Sequence, residues 1–452
     1  MKLLPDDDQT IAGTARSLLG GQASCVDVLW SCLERIDERE PEVQAWVAVD
    51  RAGAESQARS LDDELRAGRA RGPLHGIPIG IKDIIDVRGF PTLSGLSGRR
   101  WLRWVGPAGA DAPLVARLRR AGAVILGKTV STPFAWIDPP ATRNPWDLDR
   151  TPGGSSSGSA AAVACGMCLG AIGTQTGGSI IRPASFCGVA GFKPSYGRIS
   201  TRGVVPLAPS LDHPGPIARS VGDLQLLDRV LRDSDDEASV PTPEIDEAPL
   251  ETAPRLVALT EFRRSPGTDA IRSALEAWRS EGATTAEDSL PVSLHTLLEC
   301  HRTILAAEAA AVHGTPSEVL QWYFEDGAPD AALPNRFADL LREGSTIPAI
   351  HYINALRYRR ADIFGPEFPA FDALVTCATV GPAPDTSTTG DPMFNSPWSL
   401  LGLPSVSFPV GLSADGLPLA VQLIGRAGGD LDLLRTARWC ESVIRSRLGD
   451  ST

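Results

Sequence analysis

Residues 151–179 read TPGGSSSGSAAAVACGMCLGAIGTQTGGS and contain two glycine-serine clusters, at 153–159 and at 176–179. A helix-length run of small apolar residues separates the clusters. Because glycine adopts positive φ and lets other groups come close to the backbone, each cluster predicts a tight turn with exposed amides. A flexible linker is the alternative, but a linker would not carry the apolar run AAAVACGMCLGAI. We therefore predict an active site in this stretch.

The composition of the whole chain is that of a globular protein. Its 452 residues are 42% hydrophobic and 22% charged, which is enough apolar material for a sizeable core. The net charge of −12 argues against a nucleic-acid partner, because phosphate would be repelled. No apolar run is long enough to span a membrane, and aspartates at 6–8 interrupt any signal peptide. We expect a cytoplasmic protein with neither a nucleic-acid nor a membrane partner, and a homodimer stays open.

The cysteines and histidines predict neither a metal site nor another cofactor. Eight cysteines spread thinly over the chain are not the pattern of a disulfide scaffold. Cys165 and Cys168 form a C-x-x-C pair, but zinc would need a second ligand pair at suitable spacing. Since the pair lies in an apolar run, we interpret it as two buried small side chains. No histidine-carboxylate cluster has metal-ligand spacing.

Helix and strand patterns alternate through the first half of the chain. Residues 113–122 predict a helix and 123–129 a strand, and 155–167 and 169–175 repeat this order. Such alternation is typical of a parallel or mixed sheet covered by helices. Residues 182–209 are rich in Gly, Pro and Ser, which predicts long loops over the site. Farther on, Ala414-Asp415-Gly416 predicts a hairpin turn.

Ser179 needs a base, because a free hydroxyl is a weak nucleophile at neutral pH. None of the six histidines lies in a nucleophile-elbow context. Lys82 stands within the apolar run 73–86, where lost solvation would lower its pKa and free the amine to act as a base. Ser-Lys pairs are a known variant of the catalytic triad. An ion pair between Lys82 and Asp86, which share one strand face, is the alternative, and the residues alone leave both open.

Three motifs in this order resemble the amidase signature family: GPLHGIPIGIKD at 72–83, PGGSSSGS at 152–159 and GTQTGGSIIRPA at 173–184. The segments 394–411 and 416–425 resemble the closing part of that family. The resemblance implies an α/β fold, a single large domain with a central mixed β-sheet covered by helices on both faces. It also implies a Ser-cisSer-Lys triad, with Ser179 as nucleophile, Ser155 as relay after a cis Gly154–Ser155 peptide, and Lys82 as base. The backbone amides of the second cluster would form the oxyanion hole, namely those of Thr176, Gly177, Gly178 and Ser179.

The resemblance also suggests where substrate binds. The predicted substrate-binding residues are Gly154, Ser156, Gln175, Trp136, Asp138, Phe394 and Trp398, with the aromatic run 322–324 as a further candidate. Their aromatic character suggests an apolar or aryl-bearing substrate. Two departures from the family pattern bear on substrate preference. Gln175 stands where many relatives have aspartate, and Arg182 lies one position later than the arginine of the common G-S-I-R-x-P pattern.

Five regions follow from the patterns and the resemblance. They are an N-terminal helical segment (1–70, with Ser24 as a helix N-cap), the signature core (71–232), an acidic Pro-rich connector (233–255), a variable, mostly helical pocket region (256–370), and a C-terminal return to the sheet with a closing helix (371–452).

We thus expect an amidase that cleaves a small-molecule carboxamide or related C–N bond through an acyl-enzyme. Amides, anilides, carbamates and urea-type compounds stay open as substrates, since each presents a carbonyl bonded to nitrogen. One alternative is a glutamine-hydrolysing A-type subunit of an amidotransferase complex, which would need a partner. Another is a catalytically silent binding or scaffold subunit.

Overall fold

A mixed β-sheet of eleven strands forms the centre of the described structure. This computed structural model describes residues 3, 9–96, 106–233, 250, 252–262, 268–314, 333–359, 363–364 and 371–449. The strands are β1 Trp46–Val49, β2 Pro78–Lys82, β3 Val124–Thr129, β4 Gly170–Gln175, β5 Ala190–Lys193, β6 His213–Ala218, β7 Arg255–Leu259, β8 Thr284–Asp288, β9 Ala373–Cys377, β10 Ser405–Leu412 and β11 Pro418–Ile424.

The strands lie in the order β1-β3-β2-β4-β6-β5-β10-β11-β9-β7-β8. Strand β2 runs parallel to β3 and β4, and β7 runs parallel to β8 and β9. The other neighbouring strands are antiparallel. The predicted single α/β domain with a mixed central sheet is therefore confirmed.

Helices cover the sheet. Those in the described residues are α1 Ile11–Leu19, α2 Cys25–Val43, α3 Arg51–Arg66, α4 Pro113–Arg120, α5 Ser157–Ala164, α6 Ile181–Cys187, α7 Val221–Leu231, α8 Thr268–Ser280, α9 Leu294–His313, α10 Asn335–Ser345, α11 Ala349–Arg359, α12 Ser396–Leu400 and α13 Asp430–Gly449. Every residue of β2, β3, β4, β6, β9 and β11 is buried, which requires cover on both faces of the sheet. Within the described ranges, no helix is long and apolar enough to cross a membrane.

Several local predictions are confirmed. The helix-strand units appear as α4 with β3 and as α5 with β4. Ser24 caps α2, because its hydroxyl accepts the amide of Asp27 while the Asp27 carboxylate accepts the amide of Ser24. The hairpin predicted at 414–416 joins antiparallel β10 and β11. These features depend on a few adjacent residues, so the sequence alone contains the necessary information.

The prediction of long loops over 182–209 is wrong. This stretch contains most of α6 and all of β5, with Gly188 at φ 69° ending the helix. Strand β5 has only four residues, and it is held by β6, the next strand along the chain, and by β10, which is distant in sequence. The N-terminal segment likewise contains a strand, β1, paired with β3. Most of the predicted acidic connector, at 234–249 and 251, lies outside the described residues.

The parallel strands β2, β3 and β4 bring three chain segments to one edge of the sheet. Their last residues are Lys82, Thr129 and Gln175. Because parallel strands end at the same edge, the segments that follow them meet there. The turn before α5 and the turn between β4 and α6 lie at this edge, which places both glycine-serine clusters beside Lys82.

Helices α9 and α10 cross closely at Gly344. A Cβ atom at Gly344 would lie 1.9 Å from the carbonyl oxygen of Ala306 and 2.8 Å from the Cβ of Ala310. We expect Gly344→Ala to lower the free energy of unfolding by about 1–3 kcal/mol, because the helices must separate. Gly411→Ala is the matched control, since nothing lies within 4 Å of its added Cβ. Equal midpoints of urea unfolding for the two variants would contradict this packing.

Candidate active site

Lys82 is fully buried at the end of β2. Its Nζ lies 2.7 Å from Oγ of Ser155 and 2.8 Å from Oγ1 of Thr174, both hydrogen-bonding distances. Burial lowers the pKa of Lys82 well below its ordinary value of 10.5, and the negative charge of Asp212 only partly opposes this shift. Burial therefore favours the uncharged form of the amine. An uncharged amine can donate to Thr174 while accepting the hydroxyl proton of Ser155.

The carboxylates close to Lys82 in sequence have other partners. Asp83 lies 3.6 Å from Nζ of Lys128, and both of these side chains are fully buried. The hydroxyl of Thr92 donates to Asp86 at 2.8 Å. The Lys82–Asp86 ion pair, which the sequence left open, is therefore not the environment of Lys82. Its hydrogen-bond partners are hydroxyl groups.

Ser155 follows a cis peptide bond, Gly154–Ser155, in the turn before α5. The amide of Thr132 donates to its carbonyl oxygen at 3.1 Å. The next amide, of Ser156, donates to the carbonyl oxygen of Ser179 at 3.2 Å. This bond holds the two glycine-serine clusters against each other. Lys82, Ser155 and Ser179 are thus brought together from three separate segments.

The second cluster forms a turn, residues 176–179, whose carbonyl oxygens are all hydrogen-bonded. The donors are Nε2 of His301 to Thr176 (2.9 Å), Oγ of Ser399 to Gly177 (2.7 Å), the amide of Arg182 to Gly178 (2.9 Å) and the amide of Ser156 to Ser179 (3.2 Å). In a trans peptide the N–H points opposite to the C=O, so these bonds also fix the directions of the amides of 177–179. Fixed donors beside a serine hydroxyl are what an oxyanion hole requires.

Gln175 holds this turn and does not line the cavity. Its Oε1 accepts the amides of Ile180 and Ile181 at 2.9 and 3.0 Å, and its Nε2 donates to Ser399 at 3.2 Å. A carboxylate could accept the two amides but could not donate to the serine. Glutamine at this position therefore links the start of α6, directly after the turn, to Ser399 on α12 without a buried charge.

His301 and Asp212 also support the turn. His301 is buried on α9, and burial lowers its pKa to about 4, so the imidazole is neutral and Nε2–H donates to Thr176. The Thr176 hydroxyl donates to Asp212 at 2.5 Å, and burial raises the pKa of that carboxyl to about 6. Sequence reasoning missed these two residues, and Thr174 and Ser399 as well. His301 and Asp212 lie outside the quoted motifs, whereas Thr174 lies within the motif at 173–184 and Ser399 within the segment 394–411.

A cavity of about 430 Å³ adjoins Ser179. Its lining includes Trp136, Arg182, Leu207, His301 and Asp391. Of the predicted substrate-binding side chains, only Trp136 lines it. The indole Nε1 of Trp136 donates to the carbonyl of Arg336 at 3.0 Å, and the guanidinium of Arg302 lies 5.0 Å from the ring centroid.

Phe394 and Trp398 are core residues, which corrects their prediction as substrate contacts. They are 5% and 0% exposed, and both pack against Phe262, with ring centroids 4.9 and 6.1 Å away. Their position in α12 and in the segment before it turns them toward the interior. The aromatic run 322–324 lies outside the described residues.

The remaining predicted contacts have structural partners. The Gly154 carbonyl accepts from Arg182 at 2.7 Å, and Ser156 Oγ donates to the Thr174 carbonyl at 3.2 Å. Asp138 accepts the amide of Arg336 at 3.2 Å, and burial raises its pKa. These residues shape the walls of the site through the backbone.

The cysteine pair is unconnected with this site. Cys165 and Cys168 are free thiols; Cys168 is fully buried, as interpreted, whereas Cys165 is only partly buried, which corrects the interpretation of both as buried. The described ranges contain no group of three His, Cys, Asp or Glu side chains placed to hold a metal ion.

Known proteins share this fold and sequence over nearly the whole chain. The amidase family model matches residues 27–434. The A subunit of glutamyl-tRNA(Gln) amidotransferase from Roseiflexus castenholzii is 36% identical over 94% of both chains, and its counterpart from Desulforudis audaxviator is 36% identical over 92% of both. Among solved structures, an amidase crystal structure has a TM-score of 0.82 and 31% identity, covering 96% of this chain and 99% of that one.

The native peptide amidase of Stenotrophomonas maltophilia has a TM-score of 0.80 and 29% identity, covering 96% of this chain and 97% of that one. The resemblance drawn from three short motifs thus extends over the complete sheet. It agrees with the meeting of Lys82, Ser155 and Ser179 at one sheet edge. On these grounds the chain belongs to the amidase family, whose members share the amidase signature fold and hydrolyse carbon–nitrogen bonds.

Proposed function

We propose that this chain hydrolyses a small carboxamide through an acyl-enzyme on Ser179, and that glutamine is the first substrate to test. The observation that carries the proposal is the buried amine of Lys82, 2.7 Å from the hydroxyl of Ser155. The choice of glutamine rests on the likeness to two amidotransferase A subunits, which favours this activity over that of a general amidase.

The proposed reaction begins with two proton transfers. Lys82 accepts the proton of Ser155, Ser155 accepts that of Ser179, and Ser179 Oγ bonds to the substrate carbonyl carbon. The amides of the turn 176–179 stabilise the negative oxygen that forms. The relayed proton then passes to the leaving nitrogen as the C–N bond breaks. Water adds to the acyl-enzyme along the same relay, which releases the acid and restores Ser179.

The cavity does not specifically favour an aryl compound. The expectation of an aryl substrate rested on aromatic side chains, and Phe394 and Trp398 lie in the core. Trp136 is the one predicted aromatic contact that lines the cavity. The cavity volume of about 430 Å³ is at the small end of ligand sites.

The second candidate is an amidase that acts alone on another small amide, anilide or carbamate. It is favoured by likeness to solved amidases over 96% of this chain. Both candidates would use the same acyl-enzyme chemistry. They differ in whether a partner protein is needed for activity. An A-type subunit would hydrolyse glutamine fully only in its complex, whereas a stand-alone amidase would turn over its substrate as the purified chain.

We expect Ser179→Ala to reduce amide hydrolysis at least about 10⁴-fold, because the bond-forming oxygen is lost. A sulfonyl fluoride should label the wild type and not this variant. Ser185→Ala is the matched control, since Ser185 is buried on α6 with Thr379 3.5 Å away. The assay measures turnover of glutamine, an aryl amide and an aryl carbamate by the purified chain. Absence of both labelling and turnover would contradict the hydrolase proposal and leave a silent binding protein.

The pH dependence should report the protonation of Lys82. Because the base must be uncharged, kcat/KM should fall as the pH decreases through the pKa of Lys82, at a midpoint well below 10.5. The Asp212 carboxylate stabilises the charged amine, so Asp212→Asn should move this midpoint to lower pH. A midpoint near 10.5, or a shift to higher pH in the variant, would rule out this assignment.

His301→Phe should lower kcat by about 10- to 100-fold, because the Thr176 carbonyl loses its donor and the turn is no longer held in place. His313→Phe provides the control, since His313 lies on the same helix and its Nε2 bonds the Pro206 carbonyl at 2.8 Å. Burial lowers the pKa of His313 to about 4 as well. Equal kcat values for the two variants would show that His301 does not position the turn.

A further inference from the structure

A second cavity, of about 520 Å³, lies apart from the active site and is lined by three arginines. Arg198 lies in the loop after β5, Arg232 directly follows α7, and Arg359 is the last residue of α11. Among the described residues, none lines both this cavity and the one beside Ser179. Three arginines from separate segments concentrate positive charge here, although the chain as a whole has a net charge of −12.

The guanidinium of Arg359 is held in place from two sides. Its Nε donates to the carbonyl of Leu400 at 3.1 Å, and its Cζ lies 4.5 Å from the centroid of the Tyr196 ring. The Tyr196 hydroxyl in turn donates to the carbonyl of Pro209 at 2.9 Å, which orients the ring. The Nη1 and Nη2 groups of Arg359 have no acceptor among the described residues. A fixed guanidinium thus offers two donors to a ligand, with little side-chain entropy left to lose on binding.

The other two arginines of this cavity add further donors. Arg198 uses Nε and Nη2 in a two-point ion pair with Asp228, at 2.9 and 2.6 Å. Its Nη1 has no acceptor in the part of the chain that the structure describes. Within the same part of the chain, the side chain of Arg232 makes neither a hydrogen bond nor an ion pair. All three guanidinium groups therefore have unused N–H groups.

The two carboxylates that line the cavity have partners of their own. Asp430 is fully buried, and its oxygens accept the amide and the hydroxyl of Ser195, each at 2.7 Å. Asp430 also lies 3.6 Å from Nε of Arg198, and Asp233 forms an ion pair with Arg117. The arginines after α7 and at the end of α11 therefore have no carboxylate at ion-pair distance in the described chain. The cavity keeps a surplus of positive charge, which favours an anionic ligand.

We propose that this cavity binds a small-molecule phosphate, as the free ion or as the phosphate group of an organic compound. The oxygens of a phosphate point in tetrahedral directions, so guanidinium groups from separate segments can each donate to it, whereas a planar carboxylate is matched by one guanidinium. A Cβ atom added at Gly197 or Gly428, which both line the cavity, would meet nothing within 4 Å, so the loops leave space for the ligand. The site goes beyond the proposed amide hydrolysis and does not depend on it.

Calorimetry with two phosphates tests the site. Inorganic phosphate and glycerol 3-phosphate are titrated into the purified chain at low ionic strength, because salt screens such contacts. We expect saturable binding that weakens at least about 10-fold in Arg359→Gln, since a charged donor pair is lost. Arg357→Gln is the matched control, because Arg357 is exposed on the same helix and does not line the cavity, and its affinity should stay within about twofold of wild type. Tighter binding of glycerol 3-phosphate would identify an organic ligand, and equal affinities would identify the phosphate ion itself.

Arg232→Gln gives an independent measurement, because this side chain has no hydrogen bond in the described structure that folding could depend on. It should weaken phosphate binding at least about threefold, and it decides the question if Arg359→Gln does not fold. Absence of saturable binding of both phosphates contradicts the proposal. So does an affinity that is the same in the wild type and in these variants. A phosphate held in the cavity beside Ser179 would give that second result, because neither arginine lines it.

Discussion

The amine of Lys82 is buried at the carboxyl end of β2, and the proposed chemistry of the site requires its uncharged form. Hydrogen bonds to Ser155 and Thr174 satisfy it without a direct carboxylate partner. An ion pair would have kept the amine protonated and unable to act as a base. Asp212 acts at longer range, and it is held by the Thr176 hydroxyl and two backbone amides.

Uncharged side chains likewise surround the turn 176–179. Gln175, Ser399 and His301 are all uncharged, and each holds a backbone group of the turn or of the helix that follows. Their hydrogen bonds orient the turn without placing a net charge beside the substrate carbonyl that the turn would bind. Arg182 is the exception, since its buried guanidinium lines the same cavity as the Asp391 carboxylate. Of the two departures from the family motif, Gln175 holds the start of α6 and Arg182 holds the Gly154 carbonyl of the first cluster.

Sequence reasoning identified the parts of the site that short motifs encode. The strand ending at Lys82, the turns at Ser155 and Ser179, and helix α5 each depend on neighbouring residues, so glycine placement and hydrophobic pattern predict them. The contributions of His301 and Ser399 come from segments more than a hundred residues away. Although Ser399 lies in the segment 394–411 that resembles the family, the contacts of both residues with the turn form only once the sheet has assembled.

The errors have the same origin. Residues 182–209 looked like loops because β5 is short, and its strand geometry comes from pairing with β6 and β10. Phe394 and Trp398 looked like pocket residues because aromatic side chains serve cores and binding sites equally well. Only the packing against Phe262 decides between these roles.

The protonation state of Lys82 can be measured directly. The chain has only four lysines, Lys2, Lys82, Lys128 and Lys193, so ¹³Cε-labelled lysine gives few NMR signals, and Lys82→Met assigns the relevant one. The account predicts that the Lys82 signal has the chemical shift of an uncharged amine at neutral pH. A Lys82 signal that titrates near 10.5, as an ordinary exposed lysine does, would contradict it.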